Sequence, residues 1–357
     1  MERFGLVGLP NAGKSSLFNA LTNAGALAAP YAFATKEPNV GVSKVPDHRL
    51  DDLAAMSKSK NVVAATVQVV DIGGLVEGAS KGEGLGNRFL GGIREVEAIV
   101  FVLRAFHDPD VPGPDDPLEH LRIVELELAL ADLETVEGRL GRVQKAARAD
   151  RSLADEAAAL DAAYAALSEG HPIYRAGFDA AQRELLQSHF LLTNKPVLAV
   201  VNVGEDELDA IPGLEAKVAA ELPGADVLGM CVQLEAETIQ LAAADRAEML
   251  DALGLGEGAL PRMVRAAYHL LGLRTFFTTG EKESRAWTFR AGAKAPECAG
   301  RIHTDMQRGF IRAEVIHWDE LLELGSWTKA KDVGKLRVEG KDYEVADGDV
   351  VEIRFNV

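Results

Sequence analysis

Eight residues near the N-terminus, Gly8, Leu9, Pro10, Asn11, Ala12, Gly13, Lys14 and Ser15, constrain this chain more than any other stretch. They match G-x-x-x-x-G-K-[ST] in full, a pattern that demands a strand before it and a helix after it. Both are legible. Arg3 to Val7 is apolar-rich, and Lys14 to Asn23 places Leu17, Phe18 and Leu21 on one helical face. Glycines in such a loop let backbone N–H groups point at phosphate oxygens, and the following helix adds its positive end. Lys14 then reaches the β and γ phosphates and Ser15 supplies a Mg²⁺ ligand, with Asn11, Ala12, Gly13 and Ser16 completing the nucleotide cradle.

Further apolar runs follow at Val62 to Val70, Ala98 to Leu103, Val197 to Val201 and Val227 to Cys231. They are rich in Val and Ile and mostly lack alternation, as parallel strands covered on both faces do. The fold class is therefore α/β, a doubly wound P-loop domain. A chain of 357 residues exceeds the usual single core, so two or three domains are expected. The nucleotide-binding domain takes residues 1–118 and 190–272. Residues 119–189 insert a helical arm: Leu126, Leu133, Leu140 and Ala147 fall seven apart, and Ala129, Val136 and Val143 repeat at an offset of three, as in a coiled coil. Leu153, Ala157, Leu160, Tyr164 and Leu167 make a second arm after a break at Ala149 to Ser152. So short a connection predicts an antiparallel hairpin within one chain, hence a monomer, with an exposed tip for a partner. Residues 273–357 form a small α+β module with strand candidates at Ala286 to Phe289, Ile311 to Ile316, Leu336 to Val338 and Val350 to Phe355.

The net charge of -17 excludes diffuse attraction of the whole molecule to nucleic acid, DNA included. The excess is uneven, since Arg274 to Val357 holds 14 Lys and Arg against 15 Asp and Glu. In that module Lys282, Arg285, Arg290, Lys294, Arg301, Arg308 and Arg312 lie among Trp287, Phe289 and Phe310, a mix suited to RNA. Its acidic neighbours fit a solvated surface nearly as well. No segment offers the roughly 20 apolar residues that cross a bilayer, and the N-terminus runs into a strand, so a cytoplasmic location without membrane contact is expected. Cys231 and Cys298 lack metal-ligand spacing and read as two reduced thiols.

Two further motifs turn a binder into a hydrolase. Asp71 ends an apolar strand three residues before Gly74, so that Asp71 can orient Mg²⁺ and the Gly74 amide can sense the γ-phosphate. Thr35, between Pro30 and Gly41, supplies a second hydroxyl ligand for the metal. Base recognition departs from the N-K-x-D of GTPases, because the site reads Asn202, Val203, Gly204, Glu205. The Asn202 carboxamide matches adenine N6 and N7, and the longer Glu205 need not meet guanine where Asp would. ATP is expected over GTP, with a degenerate GTPase site as the competing reading.

Taken together, GLPNAGKSS (Gly8 to Ser16), TKEPNVG (Thr35 to Gly41), DIGGL (Asp71 to Leu75), KGEGLGN (Lys81 to Asn87), the Asn202 to Glu205 site and the terminal GKDYEVADGDVVEIRFNV closely resemble YchF-type, Obg-like ATPases. The resemblance runs end to end. It implies a G domain with a helical coiled-coil insertion and a C-terminal TGS domain of β-grasp fold. It also implies ATP preferred over weaker GTP, association with ribosomes and their rRNA, and roles in translation or stress responses. Gly204, Gly73 and Lys36 depart from the family pattern, and the short loop Phe106 to Pro117 carries only His107, to which no catalytic role is assigned. Leu75 stands where Ras-type enzymes place a water-orienting Gln, so slow intrinsic turnover is expected from Lys14, Asn11 and Gly74 through positioning and electrostatics. The Asn11 carbonyl oxygen can help hold K⁺ where an arginine finger would otherwise put charge. A third reading is a non-catalytic scaffold whose hairpin and C-terminal module bind partners while nucleotide serves stability.

Overall fold

The apolar runs of the N-terminal part become strands arranged around the first of them. The structure, a computed structural model, describes residues 2–26, 39–73 and 85–356. Among these the strands are β1 (Arg3–Val7), β2 (Val40–Lys44), β3 (Val62–Val63), β4 (Thr66–Asp71), β5 (Ala98–Arg104), β6 (Val197–Asn202), β7 (Val227–Met230), β8 (Leu273–Thr278), β9 (Ser284–Arg290), β10 (Phe310–His317), β11 (Arg337–Glu339) and β12 (Asp349–Phe355). The helices used below are α1 (Lys14–Ala26), α2 (His48–Ser57), α3 (Leu85–Arg94), α4 (Pro117–Ala149) and α5 (Ala154–Ser168). The chain divides into two compact units, one of Met1–Val42 with Gln68–Ala267, the other of Ser43–Val67 with Tyr268–Val357.

In the first unit the strand order is β2-β4-β1-β5-β6-β7. β1 runs parallel to β4 and β5, β5 to β6, and β6 to β7. Every residue of β5 and β6 is buried, which explains why their sequences show no alternation. The register aligns Leu6 with Asp71, Arg104 with Asn202, and Asn202 with Met230, so the C-terminal strand ends share one edge. Ligands of open α/β sheets bind at that edge. The expected strand Val62 to Val70 is instead two, β3 and β4, with β3 in the other sheet.

The helical insertion is rooted in this unit. Asp116 caps α4 by accepting from the Leu118 N–H, and Pro117 occupies the first turn, where a missing N–H is harmless. Leu121, Val124 and Leu128 then pack into the sheet's core beside Phe101, while Ala129 and Val136 pack with Leu160, Ala163 and Leu167 of α5. Asp150 ends α4 and accepts from Ser152 N–H, and Gln144 Nε2 donates to Asp161 at 2.8 Å across the two arms. The buried seam is the 129/136 series. Of the expected seven-residue series Leu133 and Leu140 pack against that seam, whereas Leu126 is 51% exposed because α4 changes partners from sheet to helix along its length and Leu126 faces neither. Asp132, buried on α4, accepts from Leu192 N–H, Thr193 N–H and Thr193 Oγ1 and so fixes the chain entering β6.

The second unit has the sheet order β11-β10-β12-β8-β9-β3 with the helix Ala295–Ile302 packed into a core of Phe276, Phe289, Phe310 and Val315. Ser43–Val67, which a boundary at 273 leaves with the nucleotide-binding domain, joins this unit for two reasons. β3 pairs parallel with β9, and Arg49 of α2 donates to both Asp47 and Asp347 at 2.8 Å. Asp349 is fully buried and accepts from Tyr343, Arg337 and the Ala346 N–H. Phe289 and Phe310 are core residues here, so the expected RNA-binding mix keeps its charges but loses two of its three stacking rings.

The contrast along the hairpin is measurable. Leu160→Ala should lower unfolding stability by about 3 kcal/mol, the usual cost of an emptied core site. Leu126→Ala should change it by less than about 0.5 kcal/mol. Urea denaturation compares them, and similar losses would contradict the assigned seam.

Candidate functional site

The turn between β1 and α1 is shaped by contacts that allow no side chain at two positions. A Cβ at Gly8 would collide with the Val102 carbonyl oxygen, and one at Gly13 with Asn202 Nδ2. Gly13 also has φ +99°, a conformation that glycine adopts without strain. Asn11, at φ 62°, is the loop's other left-handed residue, which Asn tolerates better than most. The result is a loop that turns under the sheet edge and lines, through Asn11, Gly13, Lys14, Ser15 and Ser16, a cavity of about 890 Å³.

Lys14 is buried, and its Nζ donates to the Leu9 carbonyl at 2.7 Å, within the loop itself. Burial lowers its ammonium to about 8, against the pull of Asp71 in the opposite direction. Ser15 Oγ donates to Asp71 Oδ2 at 2.7 Å, so the loop's hydroxyl and the end of β4 meet as expected. Among the described residues Asp71 Oδ1, which is buried, has no hydrogen-bond partner. A buried carboxylate oxygen left unpaired is costly, and a hydroxyl and a carboxylate side by side form the all-oxygen donor set that Mg²⁺ takes. Ser15 and Asp71 therefore fit the ion, which would neutralise charge on the β and γ phosphates. Thr35, Gly74 and Leu75 lie outside the described residues.

The base side carries contacts that the sequence does not show. Asn202 is buried, and Nδ2 donates to the Ala12 carbonyl at 3.0 Å while Oδ1 accepts from Val232 N–H at 3.1 Å. It joins the phosphate loop to the start of the helix Val232–Thr238 and also lines the cavity, with a second amide N–H and a second oxygen lone pair beyond these two bonds. Val203, Gly204 and Glu205 do line the cavity, with Val203 buried and Glu205 exposed at the start of the turn Glu205–Ala210. Gly204 N–H donates to Glu207 Oε2 at 3.0 Å.

Several wall residues have no motif behind them. Cys231, Val232 and Gln233 close one side, and burial pushes the Cys231 thiol up, keeping it protonated. Phe106, His107, Asp108, Pro109 and Val111 close the other. His107 is exposed and pairs with Asp115 at 2.8 Å. The one available signal was Arg104, a charged residue ending the apolar run Ala98 to Leu103, as Asp71 ends another.

A family model described as a 50S ribosome-binding GTPase matches residues 3–136. Another, for the C-terminal part of YchF GTPases and described as a protein of unknown function, matches residues 273–356. The ribosome-binding ATPase YchF of Bacillus subtilis is 47% identical over 361 residues, covering 99% of each chain. Its counterpart from Escherichia coli O157:H7 is 45% identical over 358 residues, again covering 99% of each. The solved YchF GTPase of Schizosaccharomyces pombe superposes with a TM-score of 0.88 at 34% identity, over 99% of this chain and 97% of that one.

The Lys14 environment makes a pH prediction. Triphosphate attracts the charged ammonium, so affinity should be nearly level up to pH 8 and fall about tenfold by pH 9 as the proton is lost. The sign for folding is opposite: the unfolded chain holds this proton more tightly, so between pH 8 and 10.5 rising pH relieves a cost in the empty protein. Titration calorimetry from pH 7.5 to 9.5 tests the first effect. Lys14→Gln should bind weakly without the slope, and a slope that survives the substitution would assign it to another group.

Proposed function

The chain belongs to the YchF family, and from that premise we propose that it is a cytoplasmic Mg²⁺-dependent nucleoside triphosphatase that prefers ATP to GTP and acts as a slow switch on the ribosome. The observation that carries the hydrolase reading is the constellation of buried Lys14, the Ser15–Asp71 contact and the unpaired Asp71 Oδ1. It offers a lysine for the β and γ phosphates and oxygen donors for the metal in one place. Thr35 as a further metal ligand and Gly74 as the γ-phosphate sensor complete the proposal.

The preference for ATP rests on what stands at the base-reading position. Glu205 replaces the shorter Asp that guanine N1 and N2 require, and Glu207 is drawn back onto Gly204 N–H. Asn202, Val203 and Glu205 line the cavity on this side. GTP use is the second reading, favoured by the GTPase named for the S. pombe structure. Ribosome association is supported by the names of the bacterial relatives, which span this chain from end to end. A monomer is supported by the way α4 and α5 bury their apolar seam against each other. No helix among the described residues is long and apolar enough to cross a membrane. Slow turnover rests on Leu75, whose side chain can neither donate nor accept a hydrogen bond.

For the activating ion we propose K⁺ at Asn11, an exposed residue lining the cavity beside the phosphate loop. Turnover should be higher in KCl than in NaCl at equal ionic strength, and Asn11→Ala should abolish the difference; equal rates for the unaltered protein would remove K⁺ from the account. Competition binding decides the base. ATP should bind at least about tenfold more tightly than GTP, a difference of about 1.4 kcal/mol. Equal affinities would favour the GTPase reading, and absence of multiple turnover with ribosomes and K⁺ present would leave only a nucleotide-stabilised scaffold.

A further inference from the structure

Arg104 closes β5 at the same sheet edge as Asn202, its partner in register. It is 2% exposed, and among the described residues its guanidinium bonds to carbonyls and to no carboxylate. Nε donates to Phe106 O at 3.0 Å, one terminal nitrogen to Val111 O at 3.1 Å and Pro112 O at 3.5 Å, and the other to Asp108 O at 3.2 Å. The same group lies over the Phe106 ring, 4.6 Å from its centroid. His120 of α4 serves the same segment, with Nδ1 accepting from the Arg104 N–H at 3.5 Å and Nε2 donating to Pro114 O at 2.8 Å. Burial and the neighbouring Arg104 charge lower the His120 pKa, which suits a neutral imidazole that accepts at one nitrogen and donates at the other.

The segment between β5 and α4 carries prolines at 109, 112 and 114, so it has few N–H groups with which to satisfy itself. Its carbonyls turn inward onto Arg104 and His120. The same segment lines the cavity through Phe106, Asp108 and Val111. The loop is thus an arch built around one buried fork, which a lysine cannot replace because a single ammonium does not span three separated carbonyls.

We propose that Arg104 is a positioning residue for nucleoside recognition: it holds the Phe106–Val111 arch, beside Val203 to Glu205, as the wall against which base and ribose pack. The proposal rests on the reading of this cavity as a nucleoside triphosphate site. It predicts a division of labour, in which the phosphate loop binds the triphosphate tail and the arch adds the affinity that distinguishes a nucleotide from its tail.

Binding of ATP and of inorganic tripolyphosphate, both with Mg²⁺, tests it in the full-length protein. The unaltered chain should bind ATP more tightly than tripolyphosphate; equal affinities would overturn the nucleoside-site reading itself. Arg104→Met should weaken ATP tenfold or more, raise KM with kcat within about twofold at saturation, and leave tripolyphosphate affinity within twofold. Equal loss for both ligands would show a merely structural role, and unchanged ATP affinity would show that the arch needs no brace; either result overturns the proposal. Arg104→Lys keeps a buried cation and carries the same test if the methionine variant does not fold. It should lose at least threefold in ATP affinity with tripolyphosphate unchanged, and full retention would overturn the requirement for the fork.

Discussion

Asn202 Nδ2 donates to the Ala12 carbonyl at 3.0 Å while its Oδ1 accepts from Val232 N–H at 3.1 Å, and these two hydrogen bonds set the spacing between the phosphate loop and the base-side wall. Gly13 must be glycine partly because this carboxamide occupies the space a Cβ would need. Each bond contributes only about 1 kcal/mol net, but leaving either buried group unpaired costs about 1–3 kcal/mol. The carboxamide is hard to replace because one side chain must donate at one end and accept at the other. The sheet supplies its position. β6 is buried throughout, and its last residue projects beyond the edge where β1 and β5 also end.

Around that joint the site divides by chemistry. On the phosphate side the polar atoms are left ready for a ligand: among the described residues Lys14 Nζ bonds only to the loop's own Leu9 carbonyl, and Asp71 Oδ1 has no partner. On the base side more of the polar atoms are engaged with the protein, with Asn202 bonded to Ala12 and Val232, Glu207 to Gly204, and Arg104 to carbonyls of the next loop. A region that must bind and release a charged triphosphate keeps unsatisfied groups, and a region that must keep its shape satisfies them. The insertion helps hold that shape, since α4 enters the sheet's core through Leu121, Val124 and Leu128 and brings His120 beneath the arch.

The phosphate loop, its helix and the parallel strands were legible because each rests on local requirements: glycine where backbone must approach, apolar runs where both faces are covered. Asp71 was legible as a strand-terminal carboxylate. The part Asn202 plays in bracing the loop was not, since its type and spacing suit a purine as well as a protein carbonyl, and only three-dimensional proximity shows its bonds to Ala12 and Val232. Arg104 gave a faint signal as a charge ending an apolar run, without stating that its partners would be carbonyls of the next loop. Leu126 departs from its series, whose Leu133 and Leu140 do pack in the hairpin, because periodicity records which residues share a helix face, not where along a helix its partner changes. Ser43–Val67 eluded the division into domains because pairing of β3 with β9 joins residues more than two hundred positions apart.

Asn202 matters to nucleotide binding first by holding the phosphate loop in place and less by contact with the base. Asn202→Asp keeps the acceptor toward Val232 N–H but sets a carboxylate oxygen against the Ala12 carbonyl, with almost no change in size. Calorimetric titration of this variant with Mg²⁺-ATP and with Mg²⁺-tripolyphosphate is the most direct measurement. Both ligands should lose affinity by a similar factor, about tenfold or more for a buried pair turned from attraction to repulsion. Loss for ATP with tripolyphosphate unchanged would place Asn202 at the base and contradict the account.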